Sequence, residues 1–411
     1  MAKEYRDLIV GLDIGTSKIM CVVAEVQADA ALKVLGLGVA PSNGMKRGVV
    51  VNIDACVQSI LQAVREAELM AACKITRVVT GITGSHIRGR NSVGMVAVRD
   101  REVTPADVAK VLETARAINI STDQRPLLVE PQEFVIDGQE VKEPIGMSGI
   151  RLESKVHIVT CAQSAAENIL KCVRRCGLEV DHLMLNPLAA SMATLTEDER
   201  ELGVVLIDIG AGTTDIAVFA GGAIRHTAVL PVAGELITSD IAMALRTPTD
   251  DAEDIKLQHG CAKQLLADPD THIEVAGLSG RPPRLLNKQV LAGVIEPRIE
   301  EIFSLVQKEV QSSGFEHLVS SGVVLTGGSA LMQGMVELGE DIFLKPVRVA
   351  EPQYNGALAD MVAQPRASVV MGMLEDTRLA QQRGYVGTKK KIAGPASGWL
   401  ARLKDFVVGN F

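Results

Sequence analysis

Leu12-Asp13-Ile14-Gly15-Thr16-Ser17 and Ile207-Asp208-Ile209-Gly210-Ala211-Gly212-Thr213-Thr214-Asp215 read as two copies of one device, 195 residues apart. Each is the end of an apolar strand, an Asp, a Gly-rich turn bearing hydroxyls, and a second apolar strand. Glycine lets backbone N–H groups approach phosphate oxygens closely, and Thr and Ser hydroxyls add donors. An Asp at the strand end can hold Mg²⁺ through water or orient an attacking water. A single copy reads equally well as an ordinary turn with a capping Asp. Two copies facing each other would grip the phosphate chain of a nucleotide from both sides. A third buried strand, Val323-Val324-Leu325-Thr326, ends in Gly327-Gly328-Ser329, where a Gly pair lets backbone lie flat against a nucleoside.

The rest of the chain is organised around these turns. Leu8 to Leu12 and Ile19 to Val26 are the strands of a hairpin, and Arg77 to Ile82 is a further strand. Residues 53–72 place Ile53, Val57, Ile60, Leu61, Val64 and Ala67 on one helical face. Residues 82–160 differ in character: a polar stretch through Arg88-Gly89-Arg90-Asn91-Ser92, then a helix to about Ala117 with Thr104 as N-cap and Pro105 at its first position. Strands follow at 126–137, 149–152 and 154–161, which makes a compact α+β insertion of about 80 residues. Residues 236–300 read as largely helical and acidic, with one Arg-Pro-Pro-Arg turn at 281–284.

Composition bounds the function. The chain has 411 residues, 47% apolar and 22% charged, enough for a large core in two or three domains of about 150 residues. Aromatics are 3% and the net charge is -8, which argues against base-stacking platforms and against a nucleic-acid partner. Seven scattered cysteines form no disulfide framework and suit reduced thiols. Cys172 and Cys176 stand one helical turn apart with no second pair beside them, and no His-Glu-x-x-His occurs, so no metal beyond a nucleotide's Mg²⁺ is expected. The start lacks the shape of a signal peptide, and no run reaches 18 apolar residues.

The charge is uneven. Arg378 to Phe411 carry seven bases against one acid, a net of +6, leaving -14 on residues 1–377. On a helical wheel Trp399, Leu400, Leu403, Phe406, Val407 and Phe411 fall within an arc of about 140°. Arg402 lies opposite, Lys404 flanks the apolar face, and Val408 is the misfit. A Trp at the edge with flanking cations suits an anionic lipid surface. Lys389-Lys390-Lys391 and Gly394-Pro395-Ala396-Ser397 form a linker that detaches the segment. The plain alternative is a terminal helix docked on the body.

The two Asp-x-Gly hairpins and the later Gly pair resemble the phosphate 1, phosphate 2 and adenosine motifs of the actin, Hsp70 and sugar-kinase superfamily. Asn186-Pro187-Leu188-Ala189-Ala190-Ser191 and Ala367 to Gly372 resemble its two connecting helices. Within it the chain most resembles the bacterial cell-division family FtsA, through Gly11-Leu12-Asp13-Ile14-Gly15-Thr16-Ser17-Lys18, Gly81-Ile82-Thr83-Gly84-Ser85-His86, Gly234-Glu235-Leu236-Ile237-Thr238 and the tail Gly398-Trp399-Leu400. The resemblance covers about residues 1–385.

It implies an α/β, actin-like two-lobed ATPase fold with an inserted α+β subdomain and a C-terminal amphipathic helix. Residues 1–81 with 163–195 and 355–387 would form one lobe and 82–162 the insertion. Residues 196–235 with 300–354 would form the second lobe, 236–299 its subdomain, 388–397 the linker and 398–411 the membrane helix. ATP would lie with Gly15, Thr16 and Ser17 on one side of its phosphates and Gly210, Gly212, Thr213 and Thr214 on the other. Asp13 and Asp208 would be the catalytic carboxylates and serve Mg²⁺ and its waters. Gly327, Gly328 and Ser329 would face the nucleoside, and Gly234, Glu235 and Lys256 the ribose and base. Lys18 either reaches phosphate or points away on the second strand.

The implied function is a scaffold that anchors FtsZ filaments to the cytoplasmic face of the inner membrane at the septum, forms an actin-like polymer and recruits later division proteins through residues 82–162. It would bind the C-terminal peptide of FtsZ in the 236–300 region, with Lys288 and Arg298 as candidates or as ordinary solvated charges, and its ATPase would be slow at most. The alternatives are a soluble small-molecule kinase of the same superfamily, which would need a base beside the γ-phosphate, or an actin-like part of a pilus assembly platform.

Overall fold

The computed structural model describes residues 8–278 and 281–389. Of the expected linker 388–397, residues 388 and 389 are the end of the last helix; the rest of it and the membrane segment 398–411 lie outside the described residues. The chain opens with β1 (Leu8–Ile14), β2 (Lys18–Val26) and β3 (Leu32–Pro41), an antiparallel meander. A short ribbon, β4 (Met45–Lys46) and β5 (Val49–Val50), leads to α1 (Ile53–Ala71), which starts where the Asn52 side chain accepts the Ala55 N–H. After β6 (Arg77–Ile82), parallel to β1, the insertion follows: β7 (Arg88–Ala97), α2 (Pro105–Arg116), β8 (Gln124–Ile136), β9 (Gln139–Val141) and β10 (Arg151–Ala162). Then come α3 (Gln163–Arg175), β11 (Glu179–Leu185), α4 (Asn186–Thr194) and α5 (Glu197–Leu202).

The second half repeats the first. β12 (Val204–Ile209), β13 (Thr214–Ala220) and β14 (Ala223–Leu230) form a second meander. α6 (Gly234–Leu245), α7 (Thr249–His259), a hairpin of β15 (His272–Val275) and β16 (Arg284–Asn287), and α8 (Lys288–Ser313) follow. β17 (Val323–Thr326), α9 (Met335–Phe343), β18 (Val347–Val349), α10 (Ala359–Val362) and α11 (Ser368–Lys389) complete the described chain. One sheet runs β11-β6-β1-β2-β3 and the other β18-β17-β12-β13-β14. In each, the strand entering the Asp-x-Gly turn has its hairpin partner on one side and a parallel strand on the other. This is the duplicated, two-lobed actin-like α/β architecture.

Both central strands are buried on two faces, which is why they read as unbroken apolar runs. Val10 and Leu12 join a core with Ile60 and Val64 of α1, while Ile9 packs with Val370 and Leu374 of α11. Val205 and Ile207 pack against Ile299 and Phe303 of α8, while Val204 and Leu206 meet Ala189 and Ala190 of α4. α4 and α11 therefore lie between the two sheets and join the lobes.

The insertion departs from the first sheet but is held by the second. Its own sheet, β7-β10-β8-β9, is covered by α2 through Val108, Val111 and Leu112. Asn91 Nδ2 donates to Arg225 O at 3.1 Å, Gln132 Nε2 to Ile224 O at 2.8 Å, and Arg225 Nη1 pairs with Glu133 Oε2 at 3.0 Å. All three reach β14, the edge strand of the second lobe.

Three local expectations change. The separate strands at 149–152 and 154–161 are one strand, β10, because it lies in the middle of its sheet and bonds β7 on one side and β8 on the other. The polar stretch 88–92 is the start of β7, an edge strand on which Arg88 and Arg90 are exposed while Asn91 reaches β14. The segment 236–300 is interrupted by the β15–β16 hairpin around the Arg-Pro-Pro-Arg turn, and α8 then runs unbroken across 299 and 300.

Candidate functional site

The two turns close identically. Gly15 N–H donates to Lys18 O at 3.0 Å, and Gly210 N–H donates to Thr213 O at 3.0 Å. They meet across the lobes: a β-carbon on Gly212 would lie 2.5 Å from Thr16 Oγ1, a distance only hydrogen tolerates. Asp13 and Asp208 end their strands, 8% and 7% exposed. Burial pushes the Asp13 carboxyl up, with Lys18 opposing. Burial, then the charges of Asp215 and Asp13, push Asp208 up to about 8.

Asp215 was not among the expected site residues, yet it faces Asp208 directly in the β12–β13 register. The corresponding partner of Asp13 in the first hairpin is Met20, so the second turn carries an additional carboxylate. Asp215 accepts from Thr213 Oγ1 at 3.0 Å and from the Thr83 hydroxyl, which reaches across from the end of β6. Burial raises it to about 7, the two hydroxyls opposing. Counting pairs outward from the turn places Asp215 opposite Asp208, so that signal lay in the sequence. The Thr83 bond joins residues 132 apart and carried no local signal.

Lys18 was expected either to reach phosphate or to point away on the second strand. Its ammonium donates to the Arg366 carbonyl inside the cleft, within the fields of Asp13 and Asp208, and burial lowers its pKa. Three carboxylates held up by desolvation form a set that a cation would relieve. Among the described residues no group of three or more such side chains could hold a metal ion directly; Asp13 and Asp208 are the residues that would serve Mg²⁺ through water, as Mg²⁺ commonly keeps several waters.

The expected nucleoside residues converge beside the second turn. Gly234 N–H donates to Gly210 O at 3.1 Å, and Ser329 Oγ donates to the same oxygen at 3.0 Å. Lys256, 8% exposed, is held by Thr238 Oγ1 at 2.8 Å, Glu253 Oε2 at 2.6 Å and Gly234 O at 3.2 Å. Glu235 is exposed, its N–H on Ala211 O at 2.8 Å. Gly327 has φ +87°, and a β-carbon there would fall 2.3 Å from Asp208 Oδ1, whereas one on Gly328 would meet only Arg366 Cβ, at 3.9 Å. Two hydroxyls are spent elsewhere: Thr214 is fully buried and donates to Val232 O at 2.7 Å, and Thr213 is tied to Asp215. The second turn therefore offers phosphate its backbone N–H groups. Ser17 is exposed at the tip of the first turn.

Of the two peptide-docking candidates, Arg298 is saturated, with its Nε 2.6 Å from Asp240 and its Nη1 on Glu301. Lys288 makes one bond, to Gln333 Oε1 at 3.3 Å. No helix among the described residues is long and apolar enough to cross a membrane.

A family model described as Cell division protein FtsA matches residues 205–372, from β12 into α11. The chain is 53% identical over 412 residues to the Cell division protein FtsA of Pseudomonas aeruginosa, with 98% of each chain covered. The chain belongs to the FtsA family of cell-division proteins. FtsA of Neisseria meningitidis is 49% identical over all of both chains, and FtsA of Escherichia coli K12 is 42% identical over 99% of each. The β7–β10 insertion matches, at residues 84–160, a model described as the SHS2 domain inserted in FtsA. The actin-like fold is shared more widely. A PilM-PilN type IV pilus biogenesis complex aligns with TM-score 0.64 at 17% identity, covering 90% of this chain and 98% of that one. MreB5 of Spiroplasma citri bound to ADP aligns with TM-score 0.52 at 15% identity over 94% and 99%. FtsA membership thus selects the cell-division reading over the kinase and the pilus platform; with the pilus biogenesis complex, at 17% identity, the fold is what is shared.

Proposed function

We propose that the chain binds ATP between its lobes and acts as a membrane-tethered scaffold that attaches FtsZ filaments to the cytoplasmic face of the membrane at the septum. The observation that carries this reading is the pair of identically closed turns meeting across the cleft over Asp13, Asp208 and Asp215. Gly15, Thr16 and Ser17 bind the phosphates from one side, and Gly210, Gly212 and Thr213 from the other. Lys18 moves from the Arg366 carbonyl to phosphate. Gly234, Glu235, Lys256, Gly327, Gly328 and Ser329 hold the nucleoside. When bound, Mg²⁺ supplies charge neutralisation to the phosphates and to Asp13 and Asp208. Such a cradle positions phosphates chiefly by backbone and charge, and Asp13, Asp208 and Asp215 are the carboxylates beside them that could orient a water.

The tail from Trp399 to Phe411 is the lipid hook. Each cation near an anionic leaflet adds about 1 kcal/mol, so one hook is reversible and a polymer of hooks binds far more tightly. Later division proteins bind the insertion. The FtsZ peptide docks on residues 236–299, where Met243, Leu257 and Leu285 are exposed apolar side chains and Lys288 is the freer cation.

The test is co-sedimentation with anionic liposomes, ATP and Mg²⁺ present, comparing the full chain with one ending at Gly387. The full chain alone should pellet, and should carry the C-terminal peptide of FtsZ with it. A full chain that stays soluble with the truncated one would sink the tethering, and a peptide left in the supernatant would sink the docking.

A further inference from the structure

The cleft has a third wall that neither phosphate turn supplies. The ribbon β4–β5 turns through Arg47 and Gly48, with φ +49° and +78°. Lys46 pairs with Val49, so Arg47 and Gly48 are the two central residues of the hairpin turn, which itself calls for positive φ at both. Here three contacts hold the tip. Gly48 N–H donates to Thr16 Oγ1 at 3.2 Å, on the first turn. The Arg47 Cα lies 2.9 Å from where Gly212 would carry a β-carbon, on the second turn. A β-carbon on Gly48 would stand 3.0 Å from the carbonyl oxygen of Thr83, whose hydroxyl holds Asp215. The tip thus touches both lobes at the one place where their phosphate turns meet.

The cations around the cleft are not equivalent. Lys18 is bonded to the Arg366 carbonyl and Lys256 to Glu253. Lys46 and Arg47 are exposed and form no ion pair among the described residues; burial raises the Glu235 carboxyl above its ordinary value, and Lys256, then Arg47 and Lys46, oppose this. Of the two, Arg47 has its backbone against Gly212. A planar guanidinium matches the oxygens of a terminal phosphate better than an ammonium does.

We propose that Arg47 is the residue that distinguishes a nucleoside triphosphate from a diphosphate. A phosphate chain lying between the two turns ends under the ribbon tip, where Thr16 and Gly212 meet. In this proposal the guanidinium reaches the outermost phosphate and not the inner two. Because the tip rests on both lobes, a phosphate held there also pins the lobes together. This inference rests on the nucleotide-binding reading above.

The test is titration of the full chain with fluorescent ATP and ADP analogues in Mg²⁺, for wild type, R47A, R47G, R47K and K46A. R47A should lose about tenfold in ATP affinity, the scale of one hydrogen bond to a charged group, and less than twofold for ADP. R47G relieves the left-handed backbone and should show the same ATP loss, R47K should recover part of it, and K46A should stay within twofold of wild type. Equal losses for both nucleotides, no loss, or a loss in R47A that R47G does not share would each overturn the proposal. A wild type that binds neither nucleotide would overturn the nucleotide reading and this inference with it, whereas a wild type that binds both with R47A unchanged overturns the inference alone.

Discussion

A β-carbon built on Gly372 would stand 1.7 Å from the carbonyl oxygen of Ala189. This is where α11 crosses α4 between the two sheets, so the helices that join the lobes touch backbone to backbone. Gly372→Ala forces them apart. Overpacking of this kind costs about 1–3 kcal/mol. The thermal midpoint should fall accordingly, and an unchanged melt would show that the helices do not cross so closely.

Thr83 and Asp215 make the second link between the lobes. Thr83→Val removes the donor and leaves a buried carboxylate oxygen without its partner, at a cost of about 1–3 kcal/mol. Thr83→Ser keeps the hydroxyl and should restore most of the stability. If Val and Ser behave alike in chemical denaturation, the hydroxyl is not what matters there.

His157 makes the link between insertion and second lobe depend on pH. Asn91 Nδ2 is committed to Arg225 O, so its Oδ1 accepts from His157 Nδ1 at 2.6 Å, and His157 Nε2 accepts from Thr227 Oγ1 at 2.9 Å. The ring is 1% exposed and neutral; burial, and then His226, bring its pKa down to about 3. The unfolded chain binds this proton near pH 6.5 and the folded chain does not. Stability from this group is therefore complete above about pH 6.5 and is lost as pH falls toward 3. His157→Gln should flatten the acid limb of the stability curve between those values. A variant whose acid limb is as steep as that of wild type would count against the buried neutral ring.

Arg225 carries the ion pair of the same contact, with both partners largely buried at 14% and 16% side-chain exposure. Arg225→Ala should ease opening of the insertion from β14 by about 1–3 kcal/mol. Hydrogen exchange should rise in β7 and β8 while β1 and β12 keep their protection. Uniform exchange across the chain would mean that the insertion and the lobes open together.

What could be read from the residues was local and punctuated. The Asp-x-Gly turns, the helix start at Thr104 and Pro105 and the strand Arg77–Ile82 rest on short-range chemistry, and the structure has each of them. The division of β10 into two strands failed because no local signal says that a strand has neighbours on both sides. The hairpin within 236–300 failed because each of its strands is only four residues long.

The sequence by itself determined that the chain carries two copies of one turn, that each ends a doubly buried strand, and that Asp13, Asp208 and the glycines around them hold matching places in the two copies. These follow from residue type and spacing, since a glycine or a carboxylate at a strand end acts over a few ångströms of its own backbone. Tertiary structure alone decided that Lys18 points into the cleft, that Thr83 holds Asp215, that the insertion grips β14, and that Arg47 sits where the two turns meet. Each of these joins groups distant in the chain, and only the packing of the two lobes around α4 and α11 brings them within hydrogen-bond or charge range.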